Sequence, residues 1–216
     1  GLNLFFVWEC LRPLMCGETA VVIPDTTIYD PHALISFLRK HQIHRIMINP
    51  SLLTNVLESC SNEVLVSHLE HMTHIFLEGE VVPSHLVRAW NKVLTNVTLW
   101  NIYSTWESLD ATMCNLSALD DKNNLLPAAP AGTPLPNVIA YIVDSQMAIV
   151  PKGVSGELLI AGPGVSMGYN DTEKTSQKFV SNPFLHESLD WNFSTLYRTG
   201  DLAVVQDDEQ LVIKGR

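Results

Sequence analysis

The chain has 216 residues, 46% of them hydrophobic and 17% charged, which is enough apolar sequence for a sizeable core and argues against disorder. Its net charge of -10 argues against nucleic acid or an anionic membrane as a main partner. No apolar run reaches the roughly 20 residues that a bilayer-spanning helix needs.

Residues 4–8 are apolar, but no basic stretch precedes them and no cleavage pattern follows. Thr19–Ile23 reads as a buried strand closed by Pro24. Asp30-Pro31 is a helix start, with the aspartate as cap and the proline in the first turn. Ala33, Leu34, Phe37 and Leu38 then follow helical spacing. Arg45–Ile48 is a short apolar strand, and Pro50 opens a helix to about Ser59 with Leu52, Leu53, Val56 and Leu57 on one face. His74–Leu77 is a third strand. Pro83 opens a third helix carrying Leu86, Val87, Trp90, Val93 and Leu94, and Val97–Tyr103 is a fourth strand.

Strand and helix in alternation imply right-handed crossovers and a mainly parallel sheet with flanking helices, an α/β fold. Ligands of such sheets bind beyond the carboxyl ends of the strands, here Pro24, Asn49-Pro50, Glu78-Gly79-Glu80 and Tyr103-Ser104. Residues 124–136, rich in Pro and Ala, read as a linker or irregular loop. The strands Val138–Val143 and Gly156–Ala161 and two terminal strands follow, with one short helix near Thr172–Phe179. That pattern describes a small, mostly antiparallel β-rich subdomain. The expected division is 1–125 and 126–216.

Cys10, Cys16, Cys60 and Cys114 form no C-x-x-C pair and read as reduced, mostly buried thiols of a cytoplasmic protein. His68, His71 and His74 share a three-residue spacing, but His74 belongs to a strand and no fourth zinc ligand presents itself. Gly162-x-Gly164 with Gly168 lacks the dinucleotide-binding pattern, and neither a Walker phosphate loop nor a G-x-S-x-G elbow occurs.

Five stretches together resemble adenylate-forming (AMP-binding) enzymes in order and spacing. Gly156–Tyr169 resembles their GELxIxGxGVxxGY stretch and Tyr197–Leu202 their Y(R/K)TGDL motif. Trp100–Glu107 is similar to a divergent NxYGPTE, Leu77–Val81 to a GGE turn, and Val7–Gly17 to the VWExxxPLxxG segment of amino-acid-activating domains. The set is similar to adenylation domains of nonribosomal-peptide-synthetase-like proteins. Such enzymes let a carboxylate attack the α-phosphorus of ATP, release pyrophosphate, and pass the acyl group to a thiol. The thiol is usually the phosphopantetheine of a carrier domain in the same polypeptide.

The resemblance implies a role for each matching residue. Tyr103 would stack on adenine, with Asn101 and the Ile102 backbone at its amino edge and Gly79, Glu80 and Val81 as a backbone wall. Ser104 and Thr105 continue that nucleotide strand. Glu107 would bind magnesium, a hard cation suited to carboxylate oxygen. Asp201 and Arg216 would hold the ribose. The acyl pocket would comprise Leu4, Phe5, Trp8, Met47, Phe76, Glu78, Ile102, Asp110 and Ala111.

Two departures matter. Ser104-Thr105-Trp106 replaces Gly-Pro-Thr, and Trp106 cannot serve phosphate or magnesium as that threonine does. Leu4 stands where α-amino-acid activators carry an aspartate for the substrate ammonium. The implied substrate is a small carboxylic acid: a β- or ω-amino acid anchored through Glu78 or Asp110, or an amine-free acid with another polar group. Both chain ends interrupt apolar or strand-like pattern. The resemblance implies a phosphate-binding loop upstream and a lid with the catalytic lysine downstream, so this stretch alone is expected to be inactive. The alternatives are an acyl-CoA ligase and a nucleotide-binding pseudoenzyme or scaffold.

Overall fold

A computed structural model describes residues 6–119, 126–185 and 191–216, the side chains of 6–9 excepted. Leu4 and Phe5 lie outside the described residues, and of Trp8 only the helical backbone is described.

The helix starts follow local chemistry. Helix α1 (Phe6–Met15) ends where Gly17 turns with φ +73° and Glu18 N–H donates back to Pro13 O at 2.8 Å. A short α2 (Asp25–Ile28) precedes α3 (Pro31–Lys40), whose cap Asp30 accepts from His32 and Ala33 N–H groups at 3.0 and 3.1 Å. Asn49 caps α4 (Pro50–Ser59) through Leu52 N–H, and Ser61 caps α5 (Asn62–His68). These side chains satisfy N–H groups that have no partner inside the helix. α6 (Ser84–Val93) completes the layer and buries Leu86, Val87 and Trp90.

The first sheet runs in the order β1 (Arg45–Ile48), β2 (His74–Leu77), β3 (Thr98–Thr105), β4 (Leu109–Asn115), β5 (Thr133–Pro134). β1, β2 and β3 are parallel, in register Met47, Phe76, Trp100, whereas β4 and β5 are antiparallel. The crossover helices lie against one face. There Ile75, Leu77 and Leu99 meet Leu34, Leu53, Leu65 and Trp90, each at most 2% exposed.

The second sheet is wholly antiparallel: β10 (Leu211–Gly215), β9 (Thr195–Val205), β7 (Gly156–Ala161) and β6 (Ile139–Val143), with β8 (Phe179–Ser181) also on β9. β7 is buried on both faces. Leu158 and Ile160 pack with Ala111 and Leu211, while Leu159 and Ala161 pack with Val143 and Leu196. Two-sided burial is why β7 reads as an unbroken apolar run rather than an alternation. α7 (Thr172–Lys178), capped by Asp171, leads into β8.

Three features differ from expectation. Thr19–Ile23 forms no strand, because a strand needs a ladder partner and β1 is the sheet edge on that side among the described residues. β4 and α5 were not anticipated. The Pro/Ala-rich stretch, as far as it is described, joins both sheets instead of linking them loosely. Ala129 N–H donates to Val82 O, Ala131 N–H to Leu211 O, Leu211 N–H to Gly132 O, and the Thr112 hydroxyl to Ala131 O. Gly132 is required there, since a Cβ would lie 1.9 Å from Met113 O. Among the described residues, no helix is long and apolar enough to cross a membrane.

Candidate active site

The carboxyl ends of β1, β2 and β3 open into a cleft of about 1290 Å³, closed on its far side by the second sheet. All ten residues expected to contact the nucleotide line it: Gly79, Glu80, Val81, Asn101, Ile102, Tyr103, Ser104, Thr105, Asp201 and Arg216. Glu107, Met47 and Glu78 line it as well, whereas Phe76, Asp110 and Ala111 do not.

Asp201 owes its direction to a bulge. Between the pairs Glu157–Leu202 and Leu159–Arg198 the β7–β9 register shifts, and Gly200 takes φ +77°, a left-handed conformation that costs glycine least. Thr199 fixes the kink: its hydroxyl donates to Leu158 O at 2.8 Å and accepts the Asp201 N–H at 2.9 Å. The nearly buried Asp201 carboxylate then receives Tyr103 Oη at 2.6 Å on Oδ2 and Arg216 Nε at 2.7 Å on Oδ1. Burial foremost, and then the hydrogen bond to Asp201 and its charge, push the Tyr103 phenol well above its usual pKa, so it stays a donor. Two carboxylate oxygens, one aromatic face and one exposed guanidinium therefore meet at the joint between the sheets.

The neighbouring polar groups are also engaged. The Asn101 amide is oriented by donating Nδ2–H to Pro130 O at 2.7 Å, so the other end of that amide is an acceptor. Ser104 donates to Glu78, a buried carboxylate at the end of β2. Glu80 accepts from the Ser51 hydroxyl and N–H at the start of α4. Thr105 braces the following turn: its Oγ1 accepts the Ser108 N–H at 3.1 Å and lies 2.8 Å from the Ser108 hydroxyl. Trp106 stands on that turn, 49% exposed at the cleft wall.

Glu107 faces the second sheet, where its Oε1 accepts Tyr169 Oη at 2.6 Å. The buried Tyr197 phenol lies against the same carboxylate; burial first, then the Glu107 charge, push its pKa up. Among the described residues, no three His, Cys, Asp or Glu side chains cluster to form a cage for a metal ion. A single carboxylate suits magnesium, which keeps most of its waters and takes its other ligands from substrate phosphates. The donor set at Glu107 therefore fits that ion.

The Asp110 Oδ2 accepts Arg12 Nη2 at 2.9 Å, joining β4 to α1. Phe76 stacks on His74 with ring centroids 6.1 Å apart. Ala111 is fully buried in the core between the sheets. Cys60 and Cys114 are buried, Cys10 is half-buried and Cys16 exposed, and none is disulfide-bonded.

The cleft residues not assigned from sequence include Tyr169, Tyr197 and Lys178. The two tyrosines sit inside stretches already singled out, as the end of the Gly156–Tyr169 segment and the start of Tyr197–Leu202. An aromatic hydroxyl placed beside glycines was the available signal. Among the described residues, the cleft carries four carboxylates, Glu78, Glu80, Glu107 and Asp201, against two cations, Lys178 and Arg216.

Residues 2–170 match the family model of AMP-binding enzymes. Over 216 residues the chain is 36% identical to a protein of Emericella nidulans named glycine betaine reductase ATRR, covering 99% of this chain and 16% of that one. Over 213 residues it is 32% identical to malpinin synthetase of Mortierella alpina, covering 97% of this chain and 3% of the relative. The chain thus spans a small part of these relatives. Among solved structures it is similar to CmiS6, with a TM-score of 0.81 and 28% identity over 93% of this chain and 46% of the other. The nonribosomal peptide synthetase FmoA3 gives a TM-score of 0.82 at 25% identity, over 97% of this chain and 22% of that one. The ordered motifs, the two-sheet cleft and the family match agree: this chain belongs to the AMP-binding, adenylate-forming enzyme family.

Proposed function

We propose that the polypeptide carrying this chain is an ATP-dependent ligase that activates a small carboxylic acid as its acyl-adenylate. The observation that carries this reading is the convergence of Tyr103, Asp201 and Arg216 beside the Gly79–Val81 wall. A carboxylate suits the two hydroxyls of a ribose, and an aromatic face suits a purine. In this reading residues 1–125 supply the adenine and acyl walls and residues 126–216 the ribose contacts. Glu107 holds magnesium, which offsets the repulsion between the attacking carboxylate and the α-phosphate. That help matters because the cleft itself is lined by more carboxylates than cations.

The acid we propose is one without an α-ammonium anchor, a β- or ω-amino acid, with Glu78 rather than Asp110 facing the distal ammonium. Glu78 lines the cleft, where it accepts from Ser104, and Asp110 is not among the cleft-lining residues. A second reading, favoured by the name of the Emericella relative, is a quaternary ammonium acid such as glycine betaine. Such a cation has no N–H to donate and is suited to aromatic faces rather than to a hydrogen-bonding carboxylate. The acyl acceptor is a carrier-domain phosphopantetheine in the same polypeptide, with coenzyme A as the alternative.

The test is substrate-dependent ATP–pyrophosphate exchange by the full-length polypeptide, with β-alanine, γ-aminobutyrate, glycine betaine and leucine. Preference for β-alanine or γ-aminobutyrate, lost in Glu78→Gln, supports the first reading; preference for glycine betaine supports the second. Leucine as the preferred acid overturns both. Absence of magnesium-ATP binding to that polypeptide would instead mark a scaffold.

A further inference from the structure

Glu107 is held from across the sheet boundary. Besides the phenol of Tyr169 on its Oε1, the Glu107 carbonyl accepts Ser166 N–H at 2.8 Å. Gly164 packs so closely on this turn that a Cβ there would stand 2.7 Å from Ser108 O. The loop 162–170 therefore clasps the turn after β3 by both backbone and side chain. Tyr169 is in turn fixed by its surroundings. Its N–H donates to Thr175 Oγ1 at 2.9 Å, and its ring meets Phe179 edge-on at 5.3 Å, with Phe179 against Tyr197 at the same distance. Gly168 gives Thr175 the room for this, because a Cβ would come 2.4 Å from the threonine methyl. Tyr169 itself remains 39% exposed at the cleft.

Resting on the proposal that Glu107 is the metal carboxylate, we infer that Tyr169 is a positioning residue for the divalent cation. Its hydroxyl on Oε1, together with the Tyr197 phenol against the same carboxylate, fixes the orientation in which Glu107 meets the cleft. A carboxylate held in this way is pre-oriented, and outer partners that orient a ligand strengthen the binding of an ion that keeps most of its waters. Without the Tyr169 hydroxyl the carboxylate loses one of the two phenols that orient it, and the ion meets a less pre-oriented ligand.

Mn2+ is the probe, followed by electron paramagnetic resonance as it binds the full-length polypeptide with ATP present. Tyr169→Phe keeps the ring on Phe179 and removes only the hydroxyl. Mn2+ binding is expected to weaken about tenfold, the size of one hydrogen bond to a charged group. Nucleotide affinity without metal and the melting temperature should stay close to the parent's, which separates positioning from a structural role. Glu107→Gln serves as the reference. If Glu107→Gln weakens Mn2+ binding and Tyr169→Phe changes it less than twofold, the inference about Tyr169 is overturned and the metal reading stands. If Glu107→Gln has no effect, the metal reading fails and takes this inference with it.

Discussion

Replacing Asp201 by asparagine keeps the shape of the side chain and removes its charge. Two donors now end on that carboxylate, Tyr103 Oη at 2.6 Å and Arg216 Nε at 2.7 Å. The arginine side chain is 77% exposed, so solvent screens its pair and its loss costs stability less than about 1 kcal/mol. The buried Tyr103 contact weakens from a charged to a neutral hydrogen bond, roughly another 1 kcal/mol. Binding should suffer more. If the ribose diol lies on Asp201, the variant exchanges one of two acceptors for a donor and loses the charge that strengthens the other. The expected deficit is about 2–3 kcal/mol, or about 30- to 150-fold in affinity for magnesium-ATP. Isothermal titration of the full-length polypeptide reads the affinity, and a thermal melt reads the stability. A loss below about threefold with a near-parental melt would refute ribose binding by Asp201. Should the melt collapse, Tyr103→Phe takes its place, since it leaves the carboxylate intact and removes one donor.

Gly132→Ala should abolish the folded state, because its Cβ would meet the Met113 carbonyl carbon at 2.2 Å, and backbone cannot step aside. Gly153→Ala, also at positive φ but with open space around it, should cost only about 1 kcal/mol; equal melts for the two variants would contradict the packing described. Burial pushes the Cys114 thiol from about 9.0 up to about 12. Its folded pKa is raised, so its contribution to stability is complete below about pH 9 and is lost as the pH rises toward 12. Denaturant midpoints measured from pH 8 to 11 should fall, and fall less steeply in Cys114→Ala; parallel slopes would count against it. In the native protein a thiol reagent should modify Cys16 quickly and spare Cys60 and Cys114.

The local elements were legible where one residue determines its neighbours. Asp30-Pro31 and Asn49-Pro50 announce helices because cap and proline act within one turn, and α4 begins and ends where its pattern does. Thr19–Ile23 has strand composition but forms none, since composition supplies side chains and not a ladder partner. β4 went unread because Asp110 and Asn115 disfavour strand and its burial does not alternate, with Ala111, Thr112 and Cys114 all buried.

At the site, sequence alone determined which residue types gather at the strand ends, because motif spacing fixes where each lies along its own strand. Only the tertiary structure decided who touches whom. Tyr103 meets Asp201, and Arg12 meets Asp110, across 98 positions each, while Tyr169 meets Glu107 across 62. Such contacts depend on the β7–β9 bulge and on how the second sheet closes over the first, and no local rule encodes either. The carboxylate of Asp201 and the phenol of Tyr169 could be picked out along the chain. The directions in which they point are set by the packing of two sheets.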